Sequence, residues 1–533
     1  MKSNGKHRTT RTYFVRPSAK TTPRPFGLAP FTAIAITFLA TFFGVGTFPQ
    51  FVIAADLSGE GAFVADVVKE KSPQIVAINR NVWQFAESRF EEVKSCQLIC
   101  EILEKEGFEV SRDIPDMPTA FVARYGTGSP TIGITAEYDA LPGLNQQAGI
   151  ASETPETSQK CGHGCGHCAL GAGAVGAALA VKEWLKANPG KGTVVLLGTP
   201  GEESGYGKIH MLRRHCFDSI DVVLSWHPFD LNHAWGRRAL GVHHMEFKFF
   251  GVAAHAGGAP EKGRSAVDAA ELTNVGINYL REHVSSQTRM HCAWLDSGPL
   301  AANIVPPHAA LSYYLRTANI KEGRETLQRM KDAARGAALM TGTTMEFAVI
   351  GGAYDFLPNP TVNQVLSDAF VEMGGPDFGE EEFEIARRFI DTLTEENRAE
   401  AIAAGARHEN ITPEEFARRP LAIQVEPYTP NDPNIMTISF DLGDISHLIP
   451  TAQIYIAVGP PLTGLHTWQQ TALAGTSIGD KAAEAAARAI ALTSIRLFMT
   501  PSLVDQAKAE LKESEKEEYQ AIFPESVLPL PQK

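Results

Sequence analysis

Hydrophobic and polar positions follow two kinds of spacing along this chain, and their order predicts the fold. Across residues 62–112 apolar residues recur three and four positions apart, which predicts helix that ends at Gly107. A segment rich in Gly and Ala, residues 169–190, predicts a helix that packs tightly on a sheet. Apolar runs that each end in ionisable residues predict strands at 131–143, 192–205 and 221–228. This alternation predicts an α/β fold with a mixed, mostly parallel sheet covered by helices.

A second pattern begins near residue 246 and predicts a separate, smaller domain. Its strand patterns cover residues 245–260, 309–317 and 343–352, and its helix patterns cover 265–284 and 321–342. Such an alternation indicates an α+β domain with an antiparallel sheet. We predict that this domain spans 246–360 and is inserted into the first one.

The remaining segments complete the predicted organisation. Residues 374–420 are charged and helical, which indicates an inserted helical excursion. Residues 444–459 return to a strand pattern, and a long Ala-rich helix at 481–499 indicates that the chain rejoins the first domain. The predicted parts are a leader at 1–55, a catalytic domain at 62–245 and 361–515, the insert at 246–360, the helical insertion at 374–420 and a tail at 516–533.

Residues 1–55 differ from the rest of the chain in charge and hydropathy. They contain seven Lys and Arg and no Asp or Glu, and an uncharged run from Phe26 to Ala55 follows the basic residues. This order predicts an export signal cleaved after Ala55, and an uncleaved membrane anchor is the alternative because the run is nearly long enough to span a bilayer. We therefore expect a periplasmic or extracellular protein, or one anchored in a membrane and facing outward.

The charge of the remaining chain limits the partners. The whole chain carries a net charge of −13, so the part after the basic leader carries −20. An acidic body argues against nucleic acid or an anionic membrane surface as the partner. We expect a membrane contact only through an uncleaved leader.

Residues 161–170, CGHGCGHCAL, concentrate metal-binding side chains. Cys165 and His167 are separated by one glycine, which lets a loop turn both side chains toward one ion, and thiolate and imidazole bind zinc and related divalent ions well. A structural zinc knuckle or a disulfide are the alternatives, although the stretch is short for an independent knuckle. An odd total of seven cysteines is not typical of a disulfide framework. We expect His163 to shape the loop.

Other ionisable residues follow the predicted strands. Asp139 ends the first run, Glu202 and Glu203 end the second, and His227 ends the third. The carboxyl ends of parallel strands gather ligands, so these residues are expected to meet there, together with His466 from a later segment. Two adjacent carboxylates, alone typical of a solvated helix start, can here divide metal binding and proton transfer between them. The pattern favours a catalytic metal site over a closed structural one.

Six motifs, in order, resemble the co-catalytic metallopeptidases of the aminoacylase and carboxypeptidase G family, and within it the aminobenzoyl-glutamate and indole-acetyl-amino-acid hydrolases. They are AEYDALPGLNQ, GHGCGHCALGAG, GTPGEESGYGK, VVLSWHP, GVAAHAGGAPEKGRSAVDA and GLHTWQ. The resemblance covers roughly residues 65 to 500. It implies a catalytic domain that binds two divalent ions, zinc or manganese, and an inserted lid domain through which the chain forms a homodimer.

The resemblance also implies roles for individual residues. It implies Glu202 as the general base and Asp139 as a carboxylate that orients a ligand imidazole. In the lid, it implies that His255 helps to polarise the scissile carbonyl, often across the dimer, and that Asn303 contacts substrate. The implied metal ligands are Cys165, His167, Glu203, His227 and His466.

Two positions depart from the family pattern. Cys168 stands where the family usually has Asp or Asn, and it could compete for metal. Gly201 stands where the family usually has Ala before the glutamate pair. Cys161 has no expected role.

These observations together predict a metal-dependent amidohydrolase. We expect it to cleave the amide bond of N-acyl or aryl-acyl amino acids, such as aminobenzoyl-glutamate, by attack of a metal-bound water. Arg264 and Arg316 are candidates for binding the substrate carboxylate. The alternatives are a dipeptidase or carboxypeptidase on the same scaffold, or a metal- or solute-binding protein without turnover.

Overall fold

A computed structural model describes residues 57–514 and 518–531 of the chain, so the predicted leader at 1–55 lies outside the described residues. The helices are α1 (Gly59–Phe85), α2 (Val93–Lys105), α3 (His167–Ala187), α4 (Glu202–Gly205), α5 (Gly207–Leu212), α6 (Ala266–Leu280), α7 (Ile320–Thr341), α8 (Pro360–Met373), α9 (Glu380–Ile390), α10 (Glu395–Glu409), α11 (Pro413–Arg418), α12 (Leu442–Ser446), α13 (Trp468–Ala474), α14 (Ser477–Met499) and α15 (Pro501–Ser514). Short 3-10 helices cover Pro260–Lys262 and Arg281–His283.

The strands fall into two large sheets and two short pairs. They are β1 (Glu109–Ser111), β2 (Phe121–Gly126), β3 (Thr131–Ala136), β4 (Leu141–Pro142), β5 (Cys161–Gly162), β6 (Thr193–Gly198), β7 (Val222–Phe229), β8 (Arg238–Ala239), β9 (Gly241–Phe250), β10 (Arg289–Asp296), β11 (His308–Thr317), β12 (Thr344–Ala353), β13 (Ile435–Met436) and β14 (Thr451–Ala457).

Six strands form the central sheet, in the order β1-β2-β6-β3-β7-β14. Strands β6, β3, β7 and β14 run parallel, whereas β2 pairs antiparallel with β6 and β1 antiparallel with β2. Every residue of β6 is buried, as is typical of a strand covered on both faces. The predicted mixed, mostly parallel sheet is confirmed.

Helices α1, α3 and α14 pack together beside this sheet, and the glycines of α3 permit close contact. A Cβ on Gly173 would lie 2.9 Å from the Ala483 carbonyl of α14, and one on Gly176 would lie 2.6 Å from the Ile75 side chain of α1. By length and composition α3 could cross a membrane, but 89% of its apolar window is buried inside the protein. It is therefore the core helix of this domain.

Strands β9 to β12 form the second large sheet, in the antiparallel order β10-β11-β9-β12. One face, with Phe247 and Leu311, shares an apolar core with residues of α6 and α7. The other face carries Arg289, Arg316 and Val242, which are in register across β10, β11 and β9. The predicted α+β insert is thus a sheet with helices on one face only, and its other face is left for contacts elsewhere. We call it the lid.

Helices α9, α10 and α11 lie within the segment 374–420, where the helical insertion is predicted. After α11 the chain returns to the central sheet beside the β7–β8 connection. There the buried Asn232 donates to the Ala422 carbonyl at 2.9 Å and accepts from the Ala457 N–H at 2.9 Å. This side chain fixes the return of the insertion to strand β14.

The structure differs in three details from the elements that the sequence predicts. The segment 62–112 holds two helices rather than one pattern, because Ala86 ends α1 in a left-handed conformation with φ of 44°. The predicted strand over 444–459 begins within α12, and β14 starts only at Thr451. Strand β10 went unpredicted because it lies at a sheet edge with most of its residues exposed, which removes the usual alternation.

Candidate metal centre

Ionisable side chains from separate parts of the chain meet at the carboxyl edge of the parallel strands. They are Asp139 after β3, Cys165 and His167 at the start of α3, Glu202 and Glu203 after β6, His227 in β7 and His466 before α13. The sheet topology explains the meeting, because parallel strands bring their carboxyl ends to one edge.

The turn before α3 sets the directions of Cys165 and His167. Gly166 between them has φ of 76°, and a Cβ there would lie 2.9 Å from Pro228. The same turn is tied to the distant loop, because the His466 N–H donates to the Gly164 carbonyl at 2.7 Å. The glycine is therefore required by both conformation and space.

Asp139 connects two of the expected ligands. Its Oδ1 lies 2.9 Å from Nδ1 of His167, and its Oδ2 accepts the backbone N–H of Glu203 at 2.9 Å. The side chains of Asp139 and His167 are fully buried. Asp139 thus fixes which His167 nitrogen faces the centre, which is the position of a carboxylate that orients a ligand imidazole.

The ligand-type atoms form two groups that share Cys165. One group is Cys165, His167 and His227, the other is Cys165, Glu203 and His466, and within each the atoms lie within 4.8 Å of one another. Two groups joined by one thiol fit a centre of two ions.

Unpaired buried atoms support this fit. Nε2 of His167 and Oε1 of Glu203 are buried and make no hydrogen bond of good geometry, and each has one charged neighbour at 3.1 Å, Glu137 Oε2 and His466 Nε2 respectively. Buried polar atoms in native proteins are nearly always paired, so these atoms are expected to have another partner. A pair of divalent cations would supply it, and the residues present therefore fit the ions that the family resemblance implies.

The protonation states of the cluster favour cation binding. Burial opposes ionisation of the Cys165 thiol, but His227 and His167 hold its pKa well below the ordinary value. Contacts with Cys165 and Glu203 raise the pKa of His466 to about 11. The cluster thus favours a thiolate beside protonated imidazoles, and divalent cations can replace the charge of those protons.

Glu202 belongs to neither of the two groups that share Cys165, but forms a third group of ligand-type residues with Glu137 and His167. Its carboxylate lies within 4.8 Å of ligand atoms of His167 and Glu137. Burial, together with the carboxylates of Glu137 and Glu203, raises the pKa of Glu202 well above its ordinary value. Such a carboxyl group can hold a proton near neutral pH, which general acid–base catalysis requires.

A buried charge network below the centre was missed by the sequence prediction. Lys208 donates to Glu137 Oε1 at 2.6 Å and to Asp441 Oδ1 at 2.5 Å, and all three side chains are at most 4% exposed. Oε2 of Glu137 lies 3.1 Å from Nε2 of His167. Glu137 has a signal in the sequence, since it lies two positions before Asp139 in extended chain and shares its face.

A local structural reason explains why Gly201 stands where the family usually has alanine. Gly201 has φ of 67°, and a Cβ there would lie 2.7 Å from the Phe90 ring. Its N–H donates to the buried carboxylate of Glu92 at 2.8 Å. The alanine usual at this position would therefore be strained in this chain, and the departure leaves the glutamate pair in place.

The other residues of CGHGCGHCAL do not join the metal groups. Cys168 is fully buried in the main apolar core, where burial raises the pKa of its thiol to about 12. Cys161 is buried in a small apolar cluster. His163 donates from Nε2 to the Val82 carbonyl at 2.9 Å. All seven cysteines are free, so the structure has no disulfide among them, and Cys168 belongs to none of the ligand groups.

The centre lies in a cavity of about 510 Å³ between the central sheet and the lid. The lid side is lined by Arg289, His291, Tyr314 and Arg316. The cavity is of the size that small-molecule sites have. Arg264, the other candidate for a substrate carboxylate, is absent from the lining and bonds the carbonyls of Glu261 and Gly263.

His255 and Asn303 are placed together but away from the centre. The Ala256 N–H donates to the Asn303 carbonyl at 2.9 Å, and both His255 and Asn303 are exposed on the lid. Nδ1 of His255 accepts the N–H groups of Gly257 and Gly258 at 3.1 and 3.0 Å. Within one chain these two residues do not line the cavity.

Comparisons with known proteins agree with this geometry. The model of peptidase family M20/M25/M40 matches residues 133–440. The chain is 36% identical over 479 residues to one subunit of the p-aminobenzoyl-glutamate hydrolase of Escherichia coli (strain K12), covering 88% of this chain and 99% of that protein. It is 27% identical over 464 residues to the Xaa-Arg dipeptidase of Homo sapiens, covering 84% and 91%.

A solved structure supports the fold. A putative aminohydrolase from methicillin resistant Staphylococcus aureus matches with a TM-score of 0.57 at 18% identity, covering 82% of this chain and 100% of that one. At this identity the match speaks for the architecture alone.

Proposed function

The chain belongs to peptidase family M20/M25/M40, and we propose that it is a metal-dependent amidohydrolase that cleaves N-acyl or aryl-acyl amino acids, p-aminobenzoyl-glutamate among them. The observation that carries this proposal is the pair of ligand groups that share Cys165, with Glu202 beside them in the cavity. A solute-binding protein without turnover would have no use for a buried carboxyl group at that position.

The residues of the centre divide the reaction among themselves. Two divalent ions held by the shared groups would polarise the amide carbonyl and lower the pKa of water. Glu202 accepts the proton of the attacking water and returns it to the leaving amine nitrogen. Asp139 keeps His167 in the orientation and tautomer that binding requires, through its bond at 2.9 Å.

The lid side of the cavity suits an anionic amino acid. Arg289 and Arg316 are directly opposite each other on β10 and β11, and both line the cavity. Guanidinium groups bind carboxylates through paired hydrogen bonds, and a glutamate product has two carboxylates. We infer that this pair selects dicarboxylic amino acids.

The same pair argues against a dipeptidase that prefers arginine. A substrate with a C-terminal arginine would bring its guanidinium toward two like charges, which is unfavourable in a partly enclosed cavity. Hydrolysis of p-aminobenzoyl-glutamate and of dipeptides ending in arginine should be compared on one preparation. The proposal predicts faster hydrolysis of the glutamate conjugate, and faster hydrolysis of the dipeptides would favour the alternative.

The donor set supports zinc as the ion. A thiolate with imidazoles is softer than the oxygen sites that manganese prefers, although the resemblance to aminobenzoyl-glutamate hydrolases permits manganese. Protein stripped by a chelator and reloaded with Zn²⁺ or Mn²⁺ should regain hydrolysis of acyl-amino acids. No hydrolysis of any acyl-amino acid with either ion would refute the proposed function.

We propose a homodimer formed through the lid, which would bring His255 and Asn303 of one chain to the cavity of the other. Their position on the lid, outside the cavity of their own chain, supports this. The E. coli relative is named as one subunit of its enzyme, so a second kind of chain is the alternative partner. The molar mass of the purified protein in solution tests it: twice the chain mass is expected, and a monomer with full activity would contradict it.

We also propose that the enzyme is exported, on the basis of the basic and then apolar order of residues 1–55. Sequencing of the mature N-terminus tests this proposal. A mature chain that begins at Asp56 would support cleavage, whereas an intact leader on a protein recovered from the cytoplasm would contradict export.

A further inference from the structure

A second group of ligand-type side chains lies between the helical insertion and the edge of the central sheet. His233 comes from the β7–β8 connection, His408 from α10 and Glu426 from the segment after α11. Each offers one ligand atom, and the three atoms lie within 4.8 Å of one another. None of the three lines the catalytic cavity.

Backbone hydrogen bonds hold two of these residues in fixed positions. The N–H groups of His233 and Tyr455 each donate to the other residue's carbonyl, at 2.8 and 2.9 Å. Ala234 donates to the Glu426 carbonyl at 2.9 Å, and Glu426 donates to the Asn232 carbonyl at 3.0 Å. The group therefore does not depend on flexible side chains meeting by chance.

The third residue is positioned in the way that metal-binding histidines are. Nε2 of His408 donates to the Gln424 carbonyl at 3.0 Å, which leaves the lone pair on Nδ1. The Glu409 carboxylate accepts the N–H groups of Ile423 and Gln424, both at 2.9 Å, and so holds that carbonyl in place. His408 and Glu409 are both buried.

One atom of the group has no protein partner. Nε2 of His233 is buried and makes no hydrogen bond, although Nδ1 lies 2.6 Å from Oε2 of Glu426. His233 is only 2% exposed. An ion pair between His233 and Glu426 alone would leave this nitrogen unsatisfied, which is unfavourable for a buried polar atom.

Aromatic contacts shape the group and leave one side open. The Trp235 ring stacks on the His233 ring at 3.5 Å, and Trp235 Nε1 donates to Glu426 Oε2 at 2.9 Å. The rings of His233 and His408 are 5.0 Å apart and nearly perpendicular, at 78°. The Glu426 side chain is 34% exposed, which gives an entry path and room for water.

We propose that His233, His408 and Glu426 bind a divalent cation that fastens the helical insertion to the central sheet. Two imidazoles and a carboxylate are the ligands that zinc, cobalt and nickel accept in proteins.

This cation site is separate from the catalytic centre. The Tyr455 ring lies between them, 5.9 Å from the Trp235 ring and 6.4 Å from the His227 ring. The proposed ion therefore has no contact with the reacting atoms, and its role is to hold α9, α10 and α11 in place beside the cavity.

Counting bound ions tests the proposal without reference to hydrolysis. Wild-type protein is stripped with a chelator, loaded with Zn²⁺, Co²⁺ or Ni²⁺, desalted and measured by elemental mass spectrometry. His408→Gln and Glu426→Gln should each retain one ion per chain fewer than the wild type. The control His243→Gln, which removes a buried histidine that belongs to none of the ligand groups, should retain the wild-type number.

Limited proteolysis gives a second measurement on wild-type protein, which needs no variant to fold. Cleavage within residues 374–420 should be fast in the stripped protein and at least ten times slower after Zn²⁺ is added. The same protection is expected in Cys165→Ser, because the catalytic centre is not involved. Equal ion counts in the wild type and both variants with all three cations, or cleavage that Zn²⁺ does not slow, would overturn the proposal.

Discussion

Asp139 joins two sides of the metal centre, since one carboxylate oxygen lies 2.9 Å from His167 Nδ1 and the other accepts the Glu203 N–H at 2.9 Å. One side chain thus aligns an imidazole from the start of α3 with a carboxylate from the end of β6. We therefore expect ion binding to depend on this alignment as well as on the ligands themselves.

Asp139→Asn should weaken ion binding while the fold is kept. The amide can accept the Glu203 N–H but no longer bears the charge that fixes the His167 tautomer, and loss of such a partner costs roughly 10–100-fold in metal affinity. Zn²⁺ titration against a competing chelator measures it. Asp268→Asn on the exposed start of α6 is the control, and equal affinities in wild type and Asp139→Asn would refute the orienting role.

Arg289→Gln and Arg316→Gln should each raise KM for p-aminobenzoyl-glutamate with little change in kcat. Hydrogen bonds to charged groups contribute about 1.5–3 kcal/mol, which corresponds to roughly a 10- to 150-fold rise. The substrate p-aminobenzoyl-glutamine lacks one of the two carboxylates of the glutamate. With this substrate, one of the two variants should raise KM less than it does with p-aminobenzoyl-glutamate. Arg264→Gln is the matched control, and a KM unchanged in both cavity variants would show that the arginines do not bind substrate.

Mixed dimers test whether His255 acts across the lid interface. Glu202→Gln and His255→Ala should each be inactive alone, but a mixed dimer has one site with Glu202 and a His255 from the other chain. Random mixing of equal amounts should therefore restore about a quarter of wild-type activity. Dimers that exchange chains, verified by tagged subunits, yet stay inactive would place His255 outside the reaction.

Glu106 should make the stability of the catalytic domain depend on pH. Burial opposes its ionisation, but Lys182 and Lys71, both at 2.8 Å, lower its pKa to about 2 from the ordinary 4.5. A depressed carboxyl pKa stabilises the fold above the ordinary value, and this stability is lost as pH falls from 4.5 toward 2.

The variant Glu106→Gln should lower the free energy of unfolding by about 1 kcal/mol at neutral pH, after allowance for solvent screening. Urea unfolding of both proteins measures it, and the gap should narrow as the pH is lowered through about 4. If the difference in the free energy of unfolding between the two proteins stays constant or widens as the pH falls, the ion pairs of Glu106 are not the source of that difference.

Much of the candidate centre could be predicted from the sequence, because its ligand-type residues directly follow strands or lie in short motifs. Cys165 and His167 are neighbours in the chain, and Glu203 and His227 come directly from strand ends. The fold class could be predicted as well, since the buried strands of a parallel sheet covered by helices appear in the sequence as long apolar runs.

Other groups in the structure could not be predicted from local sequence pattern. Lys208 and Asp441 are 233 positions apart, and nothing near either residue indicates that both are buried against Glu137. His408 lies in a charged helix, where its burial depends on the return of the chain after α11. Such long-range burial is decided by packing, which a single sequence does not display.

We propose that Glu202 moves the proton while the shared groups hold the ions, and Glu202→Gln tests both roles together. Elemental analysis and hydrolysis of p-aminobenzoyl-glutamate should be measured on the same loaded sample. The variant should bind as many ions as the wild type and lose about 10²- to 10⁴-fold in kcat, the usual contribution of a general base. Wild-type turnover in a variant with full ion content would contradict the claim.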